Sequence, residues 1–120
     1  MNAKDATPEL IRRIAHRFRA LSDETRIRIM MRLRDGECSV NSLSAELGVA
    51  QASVSKHLAV LREAGLVQAR REGPQAFYSV QDRSVFSMCN MVCDGVVRQQ
   101  EQVNRSLGIG PAPAPRARRQ

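Results

Sequence analysis

The chain has 120 residues, 42% hydrophobic and 26% charged, with 19 Lys+Arg against 12 Asp+Glu and a net charge of +7. That size and balance predict one globular domain with a small core and exclude a disordered chain. The basic excess favours a polyanionic partner, nucleic acid before an acidic membrane surface, over a protein that is merely soluble and basic.

Residues 1–7 are polar and read as a disordered lead-in. The start "MNAKDATPEL" lacks the apolar stretch of a secretion signal, and no run nears the ~20 apolar residues of a membrane span, so a cytoplasmic protein with no membrane partner is expected. Pro8 suits a first helical turn. Leu10, Ile11, Ile14, Phe18 and Leu21 then recur at helical spacing, which predicts a first helix with one apolar stripe. In "LSDETRIRIMMRLRDGE", Ser22 or Asp23 is the expected N-cap. Ile27, Met30 and Met31 are expected to face inward, with Ile29 and Leu33 widening the face, and Gly36 to follow the end. Ser39 caps a short third helix, with Val40, Leu43 and Leu47 pointing inward and Gly48 stopping it. A fourth helix begins almost at once, with Val54, Leu58 and Leu61 as its buried stripe and Gly65 as its end.

Beyond Gly65 the period becomes two. "LVQARREGPQAFYSV" predicts a β-hairpin turning at Gly73-Pro74. Asp82 or Ser84 then opens a last helix, 82–106, carrying Val85, Cys89, Val92, Val96 and Val103. The remaining 107–120 alternate Pro and Ala, end with Arg116, Arg118 and Arg119, and read as a disordered basic tail. The expected architecture is therefore mainly α with a small β-hairpin, in the order α-α-α-α-β-β-α, over residues 8–106.

Two short helices joined by a Gly-containing turn and followed by a hairpin make a helix-turn-helix with a wing. Its second helix should present Ala52 and Lys56, flanked by Gln51, Ser53 and Ser55, opposite the buried stripe. Slim side chains let a helix backbone approach a major groove. Gln51 and the serines can hydrogen-bond base edges or phosphates, Ala52 can touch a thymine methyl, and Lys56 can meet phosphate or guanine. A solvated surface is the alternative, but exposed helix positions ordinarily favour longer charged residues. Arg70, Arg71 and Gln75 flank the wing's turn and could reach the backbone or the minor groove; a solubilised edge strand would explain one such arginine equally well. His57 has no second ligand at helical spacing and fits a packing or phosphate-contacting role rather than a metal.

Residues 20–80, "ALSDETRIRIMMRLRDGECSVNSLSAELGVAQASVSKHLAVLREAGLVQARREGPQAFYSV", resemble the ArsR/SmtB-type winged helix-turn-helix repressors. "LSDETR", "SVSKHLAVLREAGLV" and the hairpin ending "FYSV" carry the resemblance jointly. It implies a homodimer held by the first and last helices, an imperfect palindromic operator in double-stranded DNA, and release on inducer binding. The family's thiolate motif "ELCVCDL" falls here on "ECSVNSL", with Ser39 and Asn41 at the cysteine positions and Ser42 at the aspartate, so that site is absent. The last helix has no histidine either, and so lacks the zinc-site pattern of the family.

What remains is "FSMCNMVCDG", with Met88, Cys89, Met91 and Cys93. Cys89 and Cys93, at i and i+4, share a helix face at ~5–6 Å between Cβ atoms. That spacing suits a soft ion such as As(III), Cd, Hg or Cu(I) and strains a disulfide. Cys38 could supply a third thiolate or be inert. The alternative is packing, since Cys and Met are ordinary fillers of an aromatic-poor core, and the methionines are read that way. The expected function is a repressor released by a thiophilic inducer. The rivals are the same fold with a redox or reactive-sulfur switch, the same fold with no inducer, and a metalloid or metal carrier. No nucleophile–base pair or phosphate loop supports an enzyme.

Overall fold

The computed structural model describes residues 5–110. Positions 1–4 of the expected lead-in and 111–120 of the expected tail, with Arg116, Arg118 and Arg119, lie outside the described residues. The chain forms two compact units that divide between Asp82 and Arg83. The first contains α1 (Pro8–Ala20), α2 (Glu24–Leu33), β1 (Cys38–Ser39), α3 (Val40–Leu47), α4 (Gln51–Glu63), β2 (Val67–Glu72) and β3 (Gln75–Val80); the second is built on α5 (Val85–Ser106). No helix among the described residues is long and apolar enough to cross a membrane.

Side-chain caps set the starts of the first three helices. Thr7 Oγ1 accepts from the Leu10 N–H at 3.1 Å, Asp23 Oδ2 from Arg26 at 3.1 Å, and Ser39 Oγ from Ser42 at 3.1 Å. Gly48, at φ 67°, turns the chain left-handed after α3, where a Cβ would be strained, and α4 starts three residues later. Gly73, at φ 60°, does the same for the hairpin: Glu72 pairs with Gln75, and the two-residue turn needs a positive φ at its first position.

The core of the first unit is Ile29, Met30, Leu33, Leu43, Val54, Leu58, Leu61, Leu66 and Val67, all essentially inaccessible. The α4 stripe is the one expected. On α2 the inward face is Ile29, Met30 and Leu33, while Ile27 and Met31 are 40% and 60% exposed. Those two correct the expectation: at 3.6 residues per turn, Arg26, Met30 and Leu33 share the inner stripe and Ile27 and Met31 sit one position round from it. Met91, expected as core filler, is 72% exposed in the chain.

The sheet has three antiparallel strands in the order β1-β3-β2. The two-residue β1, absent from the sequence expectation, pairs Cys38 with Tyr78 and Ser39 with Phe77 and so covers the free edge of β3. The α1 residues Leu10, Ile11 and Phe18 remain exposed. α5 carries its own apolar stripe of Val92, Val96 and Val103, each at least half exposed, and closes with Gly108 at φ 69°.

Leu58→Ala should lower stability by about 2–5 kcal/mol, because it opens a cavity in the packed stripe that aims α4. Ala59→Gln, one residue on and solvent-facing, should stay within about 0.5 kcal/mol of the parent. Urea unfolding of both variants checks the contrast.

Candidate functional site

Burial of Val54, Leu58 and Leu61 leaves the other side of α4 to solvent. Gln51, Ala52, Ser55 and Lys56 are exposed and Ser53 is half-buried. Lys56 makes no ion pair among the described residues, and the first turn of α4 contains no acid. The N-cap residue is Ala50, so no side chain accepts from the opening N–H groups of the helix. α3 and the turn before α4 are braced separately: Ser44 Oγ donates to the Val49 carbonyl, and Arg28 Nη2 donates to the Leu47 carbonyl at 3.1 Å. A slim, uncapped, acid-free helix start with one unpaired lysine can accept an anionic backbone at close range.

His57 lies at the border of that face, and its ring is engaged from behind. Arg26 Nη1 is 3.2 Å from Nδ1. Arginine only donates, so Nδ1 accepts and the proton of the neutral ring is on Nε2. Asp23 Oδ2 is 3.8 Å from the same nitrogen. Arg26 also donates to the Ala20 carbonyl at 2.6 Å and the Arg19 carbonyl at 3.3 Å. One guanidinium therefore ties the end of α1 to the middle of α4. The sequence reading missed this brace, although Arg26 sits on the α2 stripe with Met30 and Leu33, a position where a charge needs a partner. The Arg26 backbone N–H, with lesser help from the Arg26 guanidinium charge, holds the Asp23 carboxyl below its ordinary range.

The wing separates its two arginines. Arg70 Nε and Nη2 fork onto Glu37 at 3.2 and 2.6 Å, its Nη1 meets Glu72 at 2.8 Å, and its guanidinium lies 4.9 Å from the Phe77 ring centre. Arg71 is exposed and makes no ion pair among the described residues; Gln75 is exposed at the turn. Glu37 is the second residue that the sequence reading missed. It stands 33 positions from Arg70, and only the β1 pairing brings the two together.

The thiols fall in different settings. Cys38 is buried on β1, and burial pushes its thiol up, against partial relief from Arg32. Cys89 is half-buried and Cys93 exposed on α5, where they share a face with Val92, Val96 and Val103. None of the three is in a disulfide. No group of three or more His, Cys, Asp or Glu among the described residues could hold a metal ion.

Residues 23–69 match the model of the bacterial regulatory protein, arsR family. The chain is 46% identical over 68 residues to the HTH-type transcriptional regulator KmtR of Mycobacterium tuberculosis, covering 57% of this chain and 52% of that protein. It thus spans about half the length of that curated relative. It is 32% identical over 89 residues to the biofilm growth-associated repressor of Xylella fastidiosa, covering 74% of this chain and 78% of the repressor. Its fold matches the solution structure of a homodimeric winged helix-turn-helix DNA-binding domain from Mycobacterium bovis with a TM-score of 0.69 at 27% identity, over 84% of this chain and 91% of that domain.

Two outcomes follow from these settings. Asp23→Asn keeps a cap acceptor but removes a carboxyl whose folded pKa is depressed. The stability Asp23 contributes is present above its unfolded pKa of ~4 and is lost as pH falls through its lower folded value, so the variant should show a flatter acid limb in Tm between ~pH 5 and 2. In a Cys89→Ser/Cys93→Ser chain, the remaining Cys38 should react with an aromatic disulfide at least ~10-fold more slowly folded than in denaturant, as expected of a buried, high-pKa thiol.

Proposed function

We propose that this chain, which belongs to the arsR family of bacterial regulatory proteins, is a dimeric repressor that binds an imperfect palindrome in double-stranded DNA and leaves it when a thiophilic inducer reaches Cys89 and Cys93. The observation that carries the reading is the start of α4: small exposed side chains, no cap and no acid, inside the span that matches the family. Gln51, Ala52, Ser53, Ser55 and Lys56 face the major groove. His57 offers Nε2–H to a neighbouring phosphate, and Arg71 and Gln75 carry the wing's contact. Arg70 starts from a different position, with its donors already engaged by two carboxylates.

A second copy supports this in two ways. It would cover the exposed apolar residues of α1 and the α5 stripe, which a chain this small leaves in water. It would also present two recognition helices about 34 Å apart, one turn of DNA. Two thiols on one helix face suit a soft, two-coordinate or larger thiophile, whose bonds to sulfur require deprotonated thiols. Binding there alters the face on which the proposed pairing rests.

The test is fluorescence anisotropy of the full chain on its own upstream DNA. Binding should fall by orders of magnitude between ~50 and ~200 mM salt. Ala52→Glu should abolish it, through bulk and charge against the phosphates, and undiminished binding by that variant would overturn the DNA reading. A carrier with incidental charge would show no such salt dependence. Arsenite, cadmium or an oxidant should release the parent from DNA but not the Cys89→Ser/Cys93→Ser variant. Release by oxidant alone would assign a redox switch, and unchanged release in the double variant would remove the inducer from these thiols.

A further inference from the structure

We propose that Glu37 and Glu72 hold Arg70 against the sheet and so limit this chain's sequence-independent affinity for DNA. The inference rests on the DNA reading above and concerns how strongly the wing pulls on the phosphate backbone.

The geometry is specific. Arg70, on β2, reaches across Phe77 of β3 to Glu37, which precedes β1, so one side chain spans all three strands. Three of its nitrogens donate to carboxylate oxygens, at 3.2 and 2.6 Å to Glu37 and 2.8 Å to Glu72, and one face of the guanidinium lies over an aromatic ring. Exposed ion pairs ordinarily contribute little. A bidentate fork, a third carboxylate bond and ring stacking on one guanidinium are the conditions under which they hold. Arg70 is half exposed, so its partners, not burial, keep it in place. Arg70 in turn holds the Glu37 carboxyl below its ordinary range, so the pair stays charged at neutral pH.

Two carboxylates around one guanidinium leave the cluster with a net charge of −1. To an approaching phosphate the base of the wing is therefore weakly repulsive, although the sequence shows an arginine there. Arg71, the adjacent residue, points to the other side of the strand and is unpaired among the described residues. The consequence is for discrimination. Phosphate contacts raise affinity for every sequence alike, whereas base contacts tell sequences apart. A protein with a net charge of +7 gains selectivity by keeping a cation in reserve.

The test measures salt dependence of the full chain on two duplexes of equal length, its upstream DNA and an unrelated sequence. Glu37→Gln/Glu72→Gln frees Arg70. Affinity should rise on both duplexes, and the slope of log K against log salt should steepen by about 0.9, one additional phosphate contact. Adding Arg70→Ala should return the slope to the wild-type value. Glu37→Gln alone, which leaves the charged Glu72 on Arg70, should steepen it by less, and thermal melts of each variant check that the fold is retained. A wild-type chain that binds with a steep slope, left unchanged in the double variant, overturns this inference alone. So does a steepening that survives loss of Arg70. A wild-type chain with no salt-dependent binding to either duplex overturns the DNA reading and this inference with it.

Discussion

The aim of α4 depends on three apolar side chains. Val54, Leu58 and Leu61 recur at helical spacing, and each is fully removed from water. At about 1.5–3 kcal/mol for burying each such side chain, the rotation of α4 about its axis is set by a larger force than any one polar contact on its outer face supplies. That is why the outer face can be built from alanine, serine and glutamine, which do little for stability. Ala50 at the N-cap fits the same division. The helix start forgoes a cap that Ser or Thr would provide, and its orientation does not suffer, because the core fixes it.

Charge shows how geometry changes what composition suggests. The net +7 is a formal sum, but several cations are committed within the first unit. Arg17 pairs with Asp82, Arg32 with Glu46, Arg70 with Glu37 and Glu72, and Arg26 and Arg28 are turned onto backbone carbonyls. Lys56 and Arg71 are not so committed among the described residues. A basic chain is thus a poor guide to where it is basic. The cations available to a polyanion are those left over after the fold has used its other arginines as struts.

Much of this was legible in the sequence, for physical reasons. The starts of α2 and α3 follow from Asp23 and Ser39, whose side chains reach three residues ahead, and the hairpin follows from Gly73 and the period-two run, both local signals. The α4 face followed from the 3.6 period. The failures share a different cause. β1 is two residues long and has no pattern of its own; it exists because β3 offers a free edge. The Glu37–Arg70 fork depends on that pairing and had no local trace. On α2 the apolar run Ile27–Met31 is nearly continuous, so the period could not select a face. The partly buried Arg26 selects it, through bonds to α1 and His57 that only tertiary structure reveals.

The thiol pair and the apolar stripe of α5 belong together for the same reason that the α4 face could be read. Cys89, Val92, Cys93, Val96 and Val103 fall at three-, four- and seven-residue intervals, so one face carries both chemistries. Met91, off this face, is the most exposed large hydrophobic residue among the described residues, which separates it from the cysteines it adjoins in sequence. If a second copy covers the stripe, as proposed, it covers the thiols with it. An ion bound there then has no neutral position: it must either be accommodated in the pairing or oppose it. Binding free energy at sulfur becomes a difference between two arrangements of the dimer, which is what a ligand needs in order to shift an equilibrium at all. A thiol pair on the polar side of α5 could bind the same ion equally tightly and shift nothing.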